Sequence, residues 1–239
     1  MSITRRHLLG QAVLLAGAAA SAADRKLKVI VTGGHPGDPE YGCGGTIARY
    51  TDQGHEVAVL YLNRGEKSCP ETASDAARNV RVAEAQRACE ILKARPLFAG
   101  QCDGHAVVDE ARYRQFRDVI DAERPDVLFT QWPIDGHRDH RAISMFAYDA
   151  WLATGKKFAF YYYEVSDGED TLMFAPTDFV DITAVEPRKR LACYAHASQS
   201  PDKFYALQSQ VTRFRGVESG YLHAEAYVRH AQSPEKLLP

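Results

Sequence analysis

The chain has 239 residues, of which 45% are apolar and 25% charged, an ordinary balance for one soluble globular domain. A formal net charge of −2 gives no electrostatic case for nucleic acid or an anionic membrane, so neither is expected as a partner. Five cysteines (Cys43, Cys69, Cys89, Cys102 and Cys193) contain no CxxC pair, which argues against a zinc ribbon or a disulfide framework and leaves open one bridge among the loop cysteines.

Residues 1–22 read as a targeting segment outside the fold. Thr4-Arg5-Arg6-His7-Leu8-Leu9 is a twin-arginine start, Leu8 to Ala20 is weakly apolar, and Ala20-Ser21-Ala22 is a small-x-small cleavage site. The alternative is a membrane anchor, but the apolar run is short and rich in Ala and Gly for a bilayer core of about 30 Å. The expectation is an exported protein, periplasmic or extracellular, with no stable membrane span once the signal is removed. A single domain is expected over residues 23–239.

Leu27 to Thr32 reads as a buried strand, followed by a Gly- and Pro-rich loop, Gly33 to Gly45, and a helix from Thr46 to Gln53. A second strand, Glu56 to Leu62, leads into the loop Asn63-Arg64-Gly65-Glu66. Thr72 and Asp75 form a capping-box pattern ahead of a long helix that Pro96 stops. Leu97 to Ala99 is a short third strand, Asp109 to Glu123 an amphipathic helix, and Val127 to Thr130 a fourth strand. A helix from Asp139 to Thr154 follows the loop Gln131 to Arg138. The remainder predicts strands at Phe158–Glu164, Phe179–Ile182 and Ala226–Arg229. It also predicts helices at Glu186–His196, with Thr183 as cap, and Lys203–Arg215. This alternation predicts an α/β fold: a Rossmann-like, mostly parallel sheet with helices on both faces.

Polar loops at the carboxyl ends of strands are where such folds bind ligands. After the first strand stand His35 and Asp38, three positions apart. After the fourth stand His137 and His140, also three apart, near a helix start. If those strands are neighbours, His35, Asp38 and His140 make a His-Asp-His set, the open coordination of a catalytic zinc ion. His137 would then be an acid/base or supporting group. Taken singly, His35 is as readily a loop residue and Asp139 a helix N-cap. No GxGxxG pattern supports a nucleotide-binding loop.

The first loop resembles the His-Pro-Asp-Asp-x-Glu and Gly-Gly of the PIG-L/LmbE-type zinc-dependent de-N-acetylases. His137-Arg138-Asp139-His140 is similar to that family's His-Pro-Asp-His. Arg64-Gly65-Glu66, Arg81-x-x-Glu84, Asp103-Gly104, Lys189 with His196-Ala197-Ser198-Gln199, and Ala224-Glu225-Ala226-Tyr227 resemble further family segments in the same order. The resemblance implies removal of an N-acetyl group, usually from an N-acetylglucosamine unit, by attack of metal-bound water. It implies Zn²⁺ on His35, Asp38 and His140. It gives an oxyanion-stabilising or acid role to His137 and substrate contacts to Arg81 and Asp103; beside these, Asp139 is expected as a catalytic residue and Glu40 as a substrate contact. For Arg81 and Asp103 an ion pair with Glu84 and a turn residue remain the alternatives.

One position departs from the pattern. Gly37 stands where the family has its general-base aspartate, and base assistance is worth about 10²–10⁴-fold. His137, Asp139, Glu40 and Asp135 are nearby substitutes in sequence. The expected function is an exported zinc hydrolase acting on N-acetylated sugars or conjugates. The alternative is a zinc-containing glycan-binding protein without turnover. The oligomeric state is not legible.

Overall fold

A computed structural model describes residues 25–66, 75–165 and 171–239. The twin-arginine segment, Cys69 and Thr72 lie outside the described residues.

Among the described residues, seven strands form one sheet: β1 (Lys28–Gly33), β2 (Glu56–Tyr61), β3 (Arg95–Phe98), β4 (Val127–Gln131), β5 (Ala159–Tyr163), β6 (Asp178–Asp181) and β7 (Ala224–Arg229). Their order is β3-β2-β1-β4-β5-β7-β6. The first five are parallel, and β7 runs antiparallel to both β5 and β6. The described α-helices that cover it are α1 (Asp38–Asp52), α2 (Asp75–Leu92), α3 (Glu110–Glu123), α4 (Arg138–Ala153), α5 (Glu186–Tyr194) and α6 (Pro201–Ser219).

The central strands read as continuous apolar runs because both of their faces are buried. Val29, Val31, Val59, Phe129 and Tyr161 face Ile47 of α1, Ala88 of α2 and Ala192 of α5. Ile30, Leu60, Leu128 and Phe160 face Phe116 and Ile120 of α3 and Phe146 of α4. From β1 the chain builds outward through β2 and β3, whereas β4 sits on the other side of β1 and leads to β5. The strand order therefore reverses between β1 and β4, and their carboxyl ends frame the crevice where α/β sheets bind ligands. The expected α/β architecture is present, and its first and fourth strands are neighbours.

The glycine-rich stretch differs from expectation. It is not a loop up to Gly45, because α1 already starts at Asp38. Small residues are needed there for close packing. A Cβ on Gly42 would lie 2.3 Å from the Tyr163 ring, and one on Gly45 would lie 2.5 Å from Ile182. The expected Thr183 cap also shifts: α5 is preceded by Val185, and the Thr183 hydroxyl instead meets the His223 carbonyl at 3.4 Å. Strand β7 and helix α6 extend beyond their expected ends.

The last strand ties the second half of the fold to α1. Lys189 and Glu225 form a buried ion pair, Nζ to Oε1 at 2.6 Å. Glu225 also accepts from the Gly45 and Thr46 amides at 2.8 and 2.7 Å. The two C-terminal segments singled out in the sequence thus meet on the glycine-rich part of α1. Cys43, Cys89 and Cys193 are free and buried, while Cys102 is disulfide-bonded. No helix among the described residues is long and apolar enough to cross a membrane.

Candidate metal centre

His35 and Asp38 leave β1 together. Gly37 is in the positive-φ region, at φ 111°, which a glycine adopts without the Cβ penalty. Its amide donates to Glu40 Oε2 at 3.1 Å, opening α1. The turn is closed by Asp38 itself, whose Oδ2 accepts from the His35 amide at 2.8 Å. Across the crevice, β4 ends in Gln131. Its Oε1 accepts from the Gly34 amide at 2.7 Å and its Nε2 donates to Asp38 Oδ2 at 3.2 Å. Helix α4 begins just beyond and carries Asp139 and His140 in its first turn.

Three donor atoms converge. His35 Nδ1 and His140 Nε2 each lie 3.2 Å from Asp38 Oδ2, and 3.3 Å from one another. A tetrahedral ion with bonds of about 2.0 Å has neighbouring ligand atoms about 3.3 Å apart, so the triangle has the edge length of a zinc site. The opposite ring nitrogens are also held by carboxylates. His140 Nδ1 lies 3.1 Å from Asp135 Oδ1. His35 Nε2 lies 3.0 Å from Asp103 Oδ1 and 3.2 Å from Asp139 Oδ2. Metal-ligating imidazoles are characteristically fixed this way. Two looser groupings share His35, one with His137 and His140 and one with Asp103 and Asp139. The Asp103 and Asp139 oxygens meet the far nitrogen of His35, so in that pair they orient the ring rather than extend the triangle.

The electrostatics of the cluster favour a cation. Burial lowers the pKa of His35, but Asp38, Asp103 and Asp139 outweigh it and hold it well above 6.5. Burial likewise opposes a charge on His140, yet Asp38 and Asp135 raise its pKa to about 9. Burial would raise the Asp38 pKa, but His140 and His35 keep its carboxyl well below the usual range. The donor set and its surroundings fit a divalent ion of the zinc type.

His137 stands at the start of α4. Its Nδ1 accepts from the Asp139 amide at 3.2 Å. Its pKa is lowered by burial and then by the neighbouring His35 and His140. A neutral ring whose Nδ1 accepts must carry its proton on Nε2. His137 therefore offers a donor to the cavity that it lines. Asp139 is fully buried and holds the site from behind, accepting from Asn63, Gly104 and Ala106 as well as His35. It is not the helix N-cap, a position taken by His137.

A cavity of about 420 Å³ opens over the cluster, lined by His35, Asp38, Arg81, Asp103, His137 and His140 among others. Arg81 is buried, with Nη2 on the Pro36 carbonyl at 2.6 Å and Nη1 3.5 Å from Glu84, so it braces the loop that carries His35 and Asp38. Glu40 is fully buried beneath that loop. It accepts from the Tyr61 hydroxyl at 2.5 Å and lies 3.3 Å from His196 Nε2. The structure thus brings seven of the sequence-derived residues to the site and sets Glu40 behind it. Gln131 and the Asp135 contact to His140 were missed. Gln131 gives only the weak signal of a polar residue at a strand's carboxyl end, and Asp135 that of an Asp-x-His turn.

Residues 30–151 match the PIG-L family, described as GlcNAc-PI de-N-acetylase. The chain is 27% identical to the diacetylchitobiose deacetylase of Thermococcus kodakarensis, a match covering 83% of this chain and 81% of that protein. Its fold is similar to the conserved protein TT1542 of Thermus thermophilus, with TM-score 0.74, 28% identity, and coverage of 89% of this chain and 98% of that one. It is also similar to GalB, the 4-carboxy-2-hydroxymuconate hydratase of Pseudomonas putida KT2440, with TM-score 0.75, 22% identity, and coverage of 90% and 100%. The last likeness shows the fold alone. With the match spanning half of the chain, this protein belongs to the PIG-L de-N-acetylase family.

Proposed function

We propose that the protein is an exported, metal-dependent hydrolase that removes N-acetyl groups from N-acetylglucosamine-type sugars or their conjugates. The observation that carries this reading is the triangle of His35 Nδ1, Asp38 Oδ2 and His140 Nε2, with edges of 3.2, 3.2 and 3.3 Å, at the floor of the cavity. The similarity to a diacetylchitobiose deacetylase supports the choice of an acetamido sugar. Export rests on the twin-arginine segment.

His35, Asp38 and His140 would hold a zinc ion, which when bound would supply Lewis acidity toward an amide carbonyl and a water molecule. The chain's own groups do the rest. His137 presents its Nε2–H to the cavity and stabilises negative charge developing on the carbonyl oxygen. Asp135, Asp103 and Asp139 fix the rings of His140 and His35. Arg81 holds the Pro36 carbonyl and with it the turn between His35 and Asp38.

Gly37 favours a second reading, a glycan-binding protein without turnover. A Cβ at this position would meet nothing closer than the Tyr41 ring at 3.7 Å, so there is room for a side chain, although the φ of 111° strains one. The test is acetate release from a panel of N-acetylated sugars by the zinc-loaded mature chain, with His140→Ala and Gly37→Asp beside it. The enzyme reading expects release that stops on chelation and falls at least about 10²-fold in His140→Ala, the loss expected when metal chemistry is removed. Saturable sugar binding with no release from the wild type would establish the binding reading instead.

A further inference from the structure

We propose that Gln131 is a positioning residue of the metal centre: it holds Asp38 to ligation through one oxygen, and so sets a preference for a zinc-type ion over a harder, oxygen-seeking one. This rests on the metal assignment and holds whatever the substrate.

The hydrogen-bonded pairing of β1 with β4 ends at Val31 and Phe129, where the crevice opens. Beyond that point a side chain makes the link, as Gln131 Oε1 accepts from the Gly34 amide at 2.7 Å. The arm is rigid: Gln131 is fully buried and its backbone is paired with Tyr163 on β5. A backbone N–H can only donate, so the oxygen end of the carboxamide must face Gly34 and the NH₂ end must face Asp38. Nε2 there lies 3.2 Å from Asp38 Oδ2. The anchor is close to the ligands as well. A Cβ on Gly34 would lie 2.9 Å from His140 Cδ2 and 3.2 Å from Asp38 Oδ2.

The two oxygens of Asp38 are held unequally. Oδ2 accepts from the His35 amide and from Gln131, and it is the corner of the triangle with His35 Nδ1 and His140 Nε2. Oδ1 accepts no hydrogen bond among the described residues. Swinging the carboxylate so that both oxygens share an ion would draw Oδ2 away from its two donors. Catalytic zinc is satisfied by three protein ligands and an open position, whereas Mn²⁺ favours octahedral, oxygen-rich surroundings. A carboxylate restricted to one oxygen suits the first and under-supplies the second.

The test uses two variants of the full chain. Gln131→Met removes both contacts. Gln131→Glu keeps an acceptor for the Gly34 amide but turns an oxygen, not a donor, toward Asp38. Melting temperature confirms that each is folded. Affinities for Zn²⁺ and Mn²⁺ are measured by chelator competition, and their ratio cancels the charge that Glu adds. The visible spectrum of bound Co²⁺ reports coordination number, since four-coordinate Co²⁺ absorbs more strongly than six-coordinate. In both variants the zinc-over-manganese ratio should fall about tenfold, the loss expected when a ligand's outer contact is removed, and the Co²⁺ absorption should weaken. Wild-type values in Gln131→Glu would show that the tether to Gly34 is all that Gln131 supplies, and would overturn the proposal, as would wild-type values in Gln131→Met. A wild type that binds none of the three ions overturns the metal centre and this proposal with it. A lowered ratio in variants of a chain that releases no acetate keeps the proposal while the deacetylase reading fails.

Discussion

Asp135 is the residue on which His140 depends. Its Oδ1 lies 3.1 Å from His140 Nδ1 and accepts from the His137 amide at 2.7 Å, so one carboxylate sets both histidines at the start of α4. Asp135→Asn keeps the shape and removes the charge behind the ligand. Zinc affinity should fall about 10–100-fold, with the fold intact, as measured by competition with a chromophoric chelator. An unchanged affinity would separate Asp135 from the metal. At this scale the residues of the cluster were legible in the sequence but their orientation was not. His35, Asp38, His137 and His140 could be picked out because two short His-containing segments follow apolar runs. Which ring nitrogen faces Asp38 depends on Asp135, Asp103 and Asp139, whose directions are fixed only by packing between the segments that follow β1, β3 and β4. Gln131 was missed for the same reason: it is a strand-end glutamine until the Gly34 amide and Asp38 come alongside it.

Helix α1 shows how an element can be misjudged by composition. Gly42, Gly44 and Gly45 lower helix propensity, each by about 1 kcal/mol against Ala, and so argued for a loop. Tertiary packing overrides that preference, because the glycines are where α1 touches Tyr163, Lys189 and Ile182 most closely. Gly42→Ala would raise intrinsic helix propensity yet place a methyl 2.3 Å from the Tyr163 ring. The protein should therefore lose about 1–3 kcal/mol, the usual cost of overpacking. Urea unfolding checks it, and a stabilised variant would show that helix propensity outweighs the contact with the Tyr163 ring. The strands were easier to place, since Leu27 to Thr32 and Val127 to Thr130 are buried on both faces and read as unbroken apolar runs.

Across the whole molecule, the reversal of strand order at β1 and β4 puts two loops far apart in sequence over one crevice. The alternation of strands and helices made the parallel half of the sheet legible. The antiparallel end was not, because pairing of β7 between β5 and β6 depends on long-range contacts that leave no periodic trace. The Lys189–Glu225 pair is one such contact, joining α5 and β7 to α1. Lys189→Met leaves Glu225 buried without its cation and should cost about 3–5 kcal/mol, read by chemical denaturation. The double variant Lys189→Met with Glu225→Gln should recover part of that loss, and failure to recover any would place the cost in packing instead of charge.

The metal content of the purified chain tests the central claim most directly. Zinc-loaded wild type, dialysed free of excess metal, should retain one equivalent by elemental analysis. Asp38→Ala and His140→Ala should each retain far less while remaining folded. A wild type that keeps no divalent metal, or an Asp38→Ala variant that keeps a full equivalent, would contradict the assignment of His35, Asp38 and His140 as the metal centre.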